Sequence, residues 1–381
     1  MNPIGPQSDP IDLLPMDVAG RGSRVRGAMV AAAVEALFVT KPVNVRWLTG
    51  FTGSNGAVLI DERGLTLFTD GRYEEQASLE TAAFGVEVDI VITRTTEAEA
   101  GSRIGRAATG IESHHLTLDR SAALSATASD PHFENVGPLV DQLRQQKDRG
   151  EVARLRLAAQ IADRALADHE AELLRGGMTE QAFARSLESA MYTHGADAPS
   201  FDTIVASGPN SSRPHARPSS RVIGAGDLVV IDFGASVDGY GSDMTRTFVC
   251  GGHPTPDQEA LYDAVLSAQT AGVAAVCAGA NQVSIDHACR SVLAANDLAD
   301  AFIHGTGHGI GLEIHEQPIL SARSVGILAA DLVVTVEPGA YVPGRGGVRV
   351  EDSVLVTADG CDPITHFPKG LVPWPLSRPT T

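Results

Sequence analysis

LVVIDFGASVDGYGSDMTRTFV, residues 228–249, is a β-hairpin in sequence form. Two apolar runs flank Asp238–Gly239, a dipeptide suited to the positive φ angles of a two-residue hairpin turn. One residue is out of place. Asp232 sits inside LVVIDFG, a run otherwise built for burial, where an uncompensated carboxylate costs several kcal/mol or stays protonated. Folding the chain about the turn brings Asp232 opposite residues 243–245, within cross-strand reach. Asp232 and Asp243 are therefore expected to face each other. Two carboxylates at contact distance repel unless a cation lies between them.

The anomaly repeats in DLVVTVEPGAYVPGRGGVRVEDSVLV, residues 331–356. Glu337 ends one apolar run and Glu351 lies in the next, with a Gly/Pro connection that lets the strands pair. Four carboxylates on two buried ribbons exceed what one metal needs. They suit two divalent ions bridged by shared carboxylates, about 3.5–4 Å apart. One imidazole commonly joins such a set, and HGTGHGIGLEIHE, residues 304–316, offers three. The plain alternative is that the acids sit solvated at strand ends. For one acid that reading is preferable; for four, three of them next to Val, Ile or Phe, the metal reading is.

Outward from these ribbons the chain divides. Residues 21–146 alternate helix and strand patterns: a helix running into a strand over SRVRGAMVAAAVEALFVT, a hairpin around Asp61–Gly64, and a strand in VEVDIVI. This is an α/β domain. Residues 148–175 carry apolar residues at helical spacing, stopped by Gly176 and Gly177, and the boundary is placed just before that helix. Residues 147–381 then combine strand pairs with helices such as DQEALYDAVLSAQTAGVAAVCAG, which suggests an α+β domain on a mainly antiparallel sheet. Residues 1–20 carry four prolines and no basic start. They read as a flexible extension, not a signal peptide.

The net charge of −18 disfavours nucleic acid and anionic membrane surfaces as partners. No apolar run is long enough to span a bilayer. The four cysteines are scattered without CxxC spacing, as expected for reduced thiols in a cytoplasm.

At the level of motifs, the order Asp232, Asp243, His308, Glu337, Glu351 resembles the metal-binding set of the pita-bread metallopeptidases (family M24). These include methionine aminopeptidase, aminopeptidase P and prolidase. The motifs IDFGASVDGYGSDMTRTF, HGTGHGIGLEIHE, VEPGAYVPG and GVRVEDSVLV carry the resemblance across most of the second half. NVRWLTGFTGSNGAVLI and LFTDGRYEEQA resemble the first domain of the aminopeptidase P and prolidase branch, which methionine aminopeptidase lacks. Trp47 stands where Tyr is more usual, in a packing position. Creatinase shares the fold without the ligands.

The resemblance implies an α/β amino-terminal domain over 21–146 and a pita-bread catalytic domain over 147–381. It makes Asp232, Asp243, His308, Glu337 and Glu351 the ligands of two divalent ions. An imidazole with four carboxylates suits Mn²⁺ and accepts Co²⁺, Zn²⁺ or Fe²⁺. His215 and His315 match histidines that reach the scissile peptide, and His304 one that lines the proline pocket; a satisfied structural histidine is the alternative for His304. Glu337 matches the carboxylate that also moves the proton. Arg349, two residues before Glu351 and on the same strand face, is placed to orient the ligands. His114, His115, His169, His194, His253 and His287 have no constellation and read as surface or packing residues.

The implied activity is that of an Xaa-Pro aminopeptidase acting on peptides with proline second. Its alternatives are an Xaa-Pro dipeptidase (prolidase), a non-catalytic binding module or a creatinase-like member. A cytoplasmic homodimer is expected on the same grounds.

Overall fold

A computed structural model describes residues 13–371. The chain forms two compact units, Met16–Gln146 and residues 147–371 with 13–15.

The first unit is built on a six-stranded sheet. Its strands are β1 (Ala36–Val39), β2 (Ala57–Asp61), β3 (Gly64–Thr69), β4 (Asp89–Ile92), β5 (Ala108–Ile111) and β6 (His132–Asn135), in the order β4-β3-β2-β1-β5-β6. The expected hairpin is β2–β3, closed where Asp61 pairs with Gly64. β4, β5 and β6 join in parallel through helical crossovers, so the sheet is mixed and the unit α/β. Phe38, Leu59, Phe68, Ile104 and Leu124 fill its core. Trp47 is buried with the Arg21 guanidinium 4.9 Å from its ring centroid, so it does pack. The extension expected over 1–20 ends sooner than the composition suggests. A helix, Val18–Ala31, opens inside it, because Asp17 caps the Gly20 amide at 3.1 Å. Residues 1–12 lie outside the described residues.

The second unit opens with the helix Arg149–Ala167, started by a capping box between Asp148 and Glu151. The helical period continues to Arg175, but the helix does not. It breaks at Asp168–His169, and a short helix follows over Glu170–Arg175. The buried ring of His169 at the break bonds the Ala165 carbonyl at 2.7 Å and Ser186 at 2.8 Å. The apolar spacing carries no trace of those two contacts.

The first ribbon pairs Leu228–Phe233 with Met244–Val249 and, on its other side, with Ile204–Ser207. Its turn is at Asp238 and Gly239, with φ of 47° and 76°. The second ribbon pairs Val333–Val336 with Asp352–Val356, inside a five-stranded antiparallel sheet that also holds Gly307–Gly309 and Glu316–Leu320. Its connection is not the single hairpin expected. Pro338 has no N–H to give, so the ladder stops at Val336 and resumes as a separate pair, Gly339–Val342 with Gly346–Arg349. Glu337 and Glu351 occupy that break, not the strands themselves. Helices Pro256–Ala274 and Gln282–Ala295 cover the second ribbon through Val265, Ala268, Ile285, Leu293, Val334 and Val354. Helices Arg149–Ala167 and Glu180–Thr193 cover the first through Ile161, Leu166, Phe183, Leu187, Val229 and Ile231. The unit is α+β, as its strand–helix order implies. Among the described residues no helix is long and apolar enough to cross a membrane.

Candidate metal centre and peptide cleft

The two ribbons meet at their acidic ends. Asp232 stands opposite Thr245, and Asp243 lies one residue before the partner strand begins. The Thr245 hydroxyl donates to Glu351 Oε2 at 2.7 Å, and the Glu351 amide donates to the Thr245 carbonyl at 3.2 Å. Behind this junction the buried Arg246 guanidinium donates to the carbonyls of Thr245, Glu351 and Phe367 and to Asp352 at 2.8 Å. One cation thus fixes the backbone of both ribbons where the acids emerge.

His308 arrives on the short strand Gly307–Gly309. A Cβ at Gly307 would sit 1.9 Å from the Thr335 carbonyl oxygen, and one at Gly309 would sit 2.3 Å from that of Gln317. Only glycine allows a strand this close on both sides. The Glu337 amide donates to the Thr306 carbonyl at 2.7 Å, which ties Glu337 to the histidine stretch.

All nine residues singled out from the sequence line one cavity of about 290 Å³: His215, Asp232, Asp243, His304, His308, His315, Glu337, Arg349 and Glu351. Phe201, Ile204, Ile314 and Ile319 form an apolar wall. Ligand atoms of Asp243, His308 and Glu351 lie within 4.8 Å of one another. His308 Nδ1 bonds the Gly309 carbonyl at 3.1 Å, which leaves Nε2 facing Glu337 at 3.3 Å and Asp243 at 3.6 Å.

The electrostatics are those of crowded acid. Burial, then Glu351 and Asp232, push the Asp243 carboxyl well above its ordinary pKa. Burial, then Glu337 and Asp232, do the same to Glu351. Burial raises Asp232, although Arg349 pulls it back. Burial also raises Glu337, but His308 outweighs it and holds the carboxyl at about 2. His308 is pulled down by burial and carried above its ordinary value by Glu337. Two buried carboxylate oxygens, Asp232 Oδ1 and Glu351 Oε1, have no hydrogen-bond partner. An imidazole nitrogen aimed at two carboxylates, beside orphaned acid oxygens, is a donor set that a divalent cation satisfies.

Residues 153–358 match metallopeptidase family M24, and residues 21–146 match the creatinase/prolidase amino-terminal domain. The chain belongs to metallopeptidase family M24. It is 38% identical to the Xaa-Pro dipeptidase from Bacillus anthracis, at a TM-score of 0.87 over 93% of this chain and 99% of that one. It is 34% identical to the Xaa-Pro dipeptidase of Pyrococcus furiosus, over 89% of this chain and 96% of that one. It is 33% identical to the X-Pro aminopeptidase from Thermotoga maritima, at a TM-score of 0.83 over 92% of this chain and 99% of that one.

In this M24 chain the remaining sequence candidates differ in how free they are. His215 and His315 are exposed at the cleft, the latter with its ring centroid 4.4 Å from that of His308. Burial and the neighbouring His308 lower the pKa of His315, so its imidazole is neutral near pH 7. His304 is not free. Its Nδ1 bonds the Gly305 carbonyl at 2.8 Å and its Nε2 bonds the Tyr341 hydroxyl at 3.0 Å. Both ring nitrogens of His304 are thus engaged within the protein. Arg349 donates to Asp232, to the Tyr341 hydroxyl at 2.7 Å and to the Pro214 carbonyl at 3.2 Å.

Sequence reading missed Tyr341, the link between Arg349 and His304. VEPGAYVPG gives no local sign of it, since the link needs the Gly339–Val342 strand folded under the histidine loop. It also missed Lys147, whose ammonium pairs with Glu316 at 2.9 Å in a site where both side chains are buried. His114, read as isolated, clusters with Glu112 and Asp141 in the first unit. That cluster is already neutralised: the Lys41 ammonium lies 2.6 Å from Asp141, and the Thr40 and Lys41 amides donate to Glu112.

Proposed function

We propose that this M24 peptidase is an Xaa-Pro dipeptidase, in preference to the Xaa-Pro aminopeptidase expected from the sequence. The observation that carries the reading is the convergence of Asp232, Asp243, His308, Glu337 and Glu351 on one cleft with an apolar wall. The likeness to two Xaa-Pro dipeptidases supports the choice between the two activities. The likeness to an X-Pro aminopeptidase favours the second reading.

Asp232, Asp243, His308, Glu337 and Glu351 would hold two divalent ions, best matched by Mn²⁺. Ions held there would supply an acidified water and Lewis acidity toward the scissile carbonyl. The chain's residues do the rest. A Glu337 carboxylate oxygen takes a proton from the attacking water and delivers it to the leaving proline nitrogen. That nitrogen carries no hydrogen in the peptide, so the cleft needs no acceptor for it. His215 and His315 donate N–H groups to the carbonyl oxygen as it becomes an oxyanion. Arg349 holds Asp232, and Tyr341 holds Arg349 and His304 in one line of hydrogen bonds. Phe201, Ile204, Ile314 and Ile319 pack the substrate's apolar groups. On family grounds we extend the proposal to residues 147–381 as the catalytic domain, and to a cytoplasmic homodimer.

The test is a length series at fixed Mn²⁺. An Xaa-Pro dipeptide is cleaved, and Xaa-Pro-Yaa tripeptides are cleaved at least about a hundredfold less well, a gap of about 2.7 kcal/mol in transition-state binding. Equal turnover of both makes the protein an aminopeptidase. Activity that survives Asp243→Ala removes the metal mechanism.

A further inference from the structure

Glu180 opens the helix Glu180–Thr193 and belongs to none of the motifs discussed above. Its exposure is 0%. Oε1 accepts from the Ser207 amide and hydroxyl, both at 2.7 Å, and from Asn210 Nδ2 at 3.0 Å. Oε2 accepts from the Ser219 amide at 2.9 Å and the Ser219 hydroxyl at 2.6 Å. The backbone reinforces the tie, since the Glu180 amide donates to the Arg221 carbonyl and the Gln181 amide to that of Ser219.

Ser207 and Ser219 are the two ends of one loop, and His215 stands on it at the cleft. The tip is held from the other side: Arg349 donates to the Pro214 carbonyl, and the Gly347 amide donates to Ser211 Oγ at 2.9 Å. His215 itself is exposed, so its position follows its backbone. One buried carboxylate gathering both loop ends has the form of a loop anchor.

We propose that Glu180 is a positioning residue for His215: its carboxylate closes the Ser207–Ser219 loop and thereby sets where the imidazole stands over the acidic cluster. The charge matters as well as the shape. The Ser207, Asn210 and Ser219 groups bonded to the Glu180 carboxylate are all donors, and charge-assisted bonds to a carboxylate are stronger than neutral ones. A glutamine there turns its own N–H₂ onto one set of donors. The activity arm of the test rests on the Xaa-Pro reading; the structural arm does not.

The experiment uses the full chain loaded with Mn²⁺. In Glu180→Gln, hydrogen exchange of amides in 207–219 speeds up about tenfold or more, while 228–249 and bound metal content stay as in the wild type. On an Xaa-Pro dipeptide, Glu180→Gln lowers kcat about ten- to a hundredfold with KM within about twofold, the scale of a displaced catalytic group. In a His215→Ala background the same substitution changes kcat less than about twofold, because its effect passes through His215. Unchanged exchange, or an equal loss in both backgrounds, overturns the proposal. Should the wild type leave Xaa-Pro dipeptides intact, the substrate reading fails while the exchange result still decides the anchor. Asn210→Ala and Ser219→Ala remove donors singly and carry the exchange test if Glu180→Gln does not fold.

Discussion

Replacing Asp243 by Asn should change the sign of its effect on stability according to whether divalent ion is present. Asp243 and Glu351 place oxygens within 4.8 Å of each other. At an effective dielectric constant near 20, two full charges at that distance repel by about 3 kcal/mol. Burial and the neighbouring acids push both pKa values up, which lowers that cost in part. The part of that repulsion that remains is relieved by Asp243→Asn in a chelated sample. Each kcal/mol corresponds to about 2–4 °C in Tm for a unit of this size. With Mn²⁺ the order reverses. The wild type gains about 2.7 kcal/mol at a hundredfold excess of ion over Kd, and the variant, lacking one carboxylate, gains less. The assay is thermal unfolding of both proteins in EDTA and in Mn²⁺, with protein concentration held constant. A variant that is less stable than wild type by the same amount in both buffers would refute the reasoning. Asp243 would then be held by packing, and the acids would not be waiting on a cation.

Three further outcomes follow from other contacts. Tyr341→Phe leaves His304 Nε2 without its donor and takes one acceptor from Arg349, so stability falls by about 1–3 kcal/mol in urea unfolding and kcat falls with it. Lys147→Met removes the ammonium paired with the buried Glu316 carboxylate, which costs about 3–5 kcal/mol by chemical denaturation; adding Glu316→Gln recovers part of the loss. Glu180 gives a pH signature. Burial raises its carboxyl, but the bonds from Ser219, Ser207 and Asn210 outweigh burial and leave it below its ordinary value. Its stabilisation is complete above the unfolded pKa near 4.3 and is lost as pH falls through the folded value. The stability gap between wild type and Glu180→Gln is therefore constant from pH 6 to 8 and narrows below about pH 4 in denaturant titrations.

What the sequence by itself determined was the first ribbon and the anomalous acid, Asp232, inside it. Turn chemistry at Asp238–Gly239 set the register that puts Asp232 opposite Thr245. The burial of LVVIDFG made Asp232 anomalous before any partner was visible. Both are local effects, carried by residues a few positions apart. Only the tertiary structure decided where those acids point and what holds them there. Pro338 breaks the second ribbon and moves Glu337 and Glu351 off the ladder. The Gly305 carbonyl and the Tyr341 hydroxyl take the two ring nitrogens of His304 and brace it in place. Lys147 meets Glu316 from 169 positions away, and Glu180 gathers Ser207 and Ser219 from 27 and 39 positions away. Hydrogen bonds and buried ion pairs depend on distance in space, and periodicity along the chain carries no record of that distance.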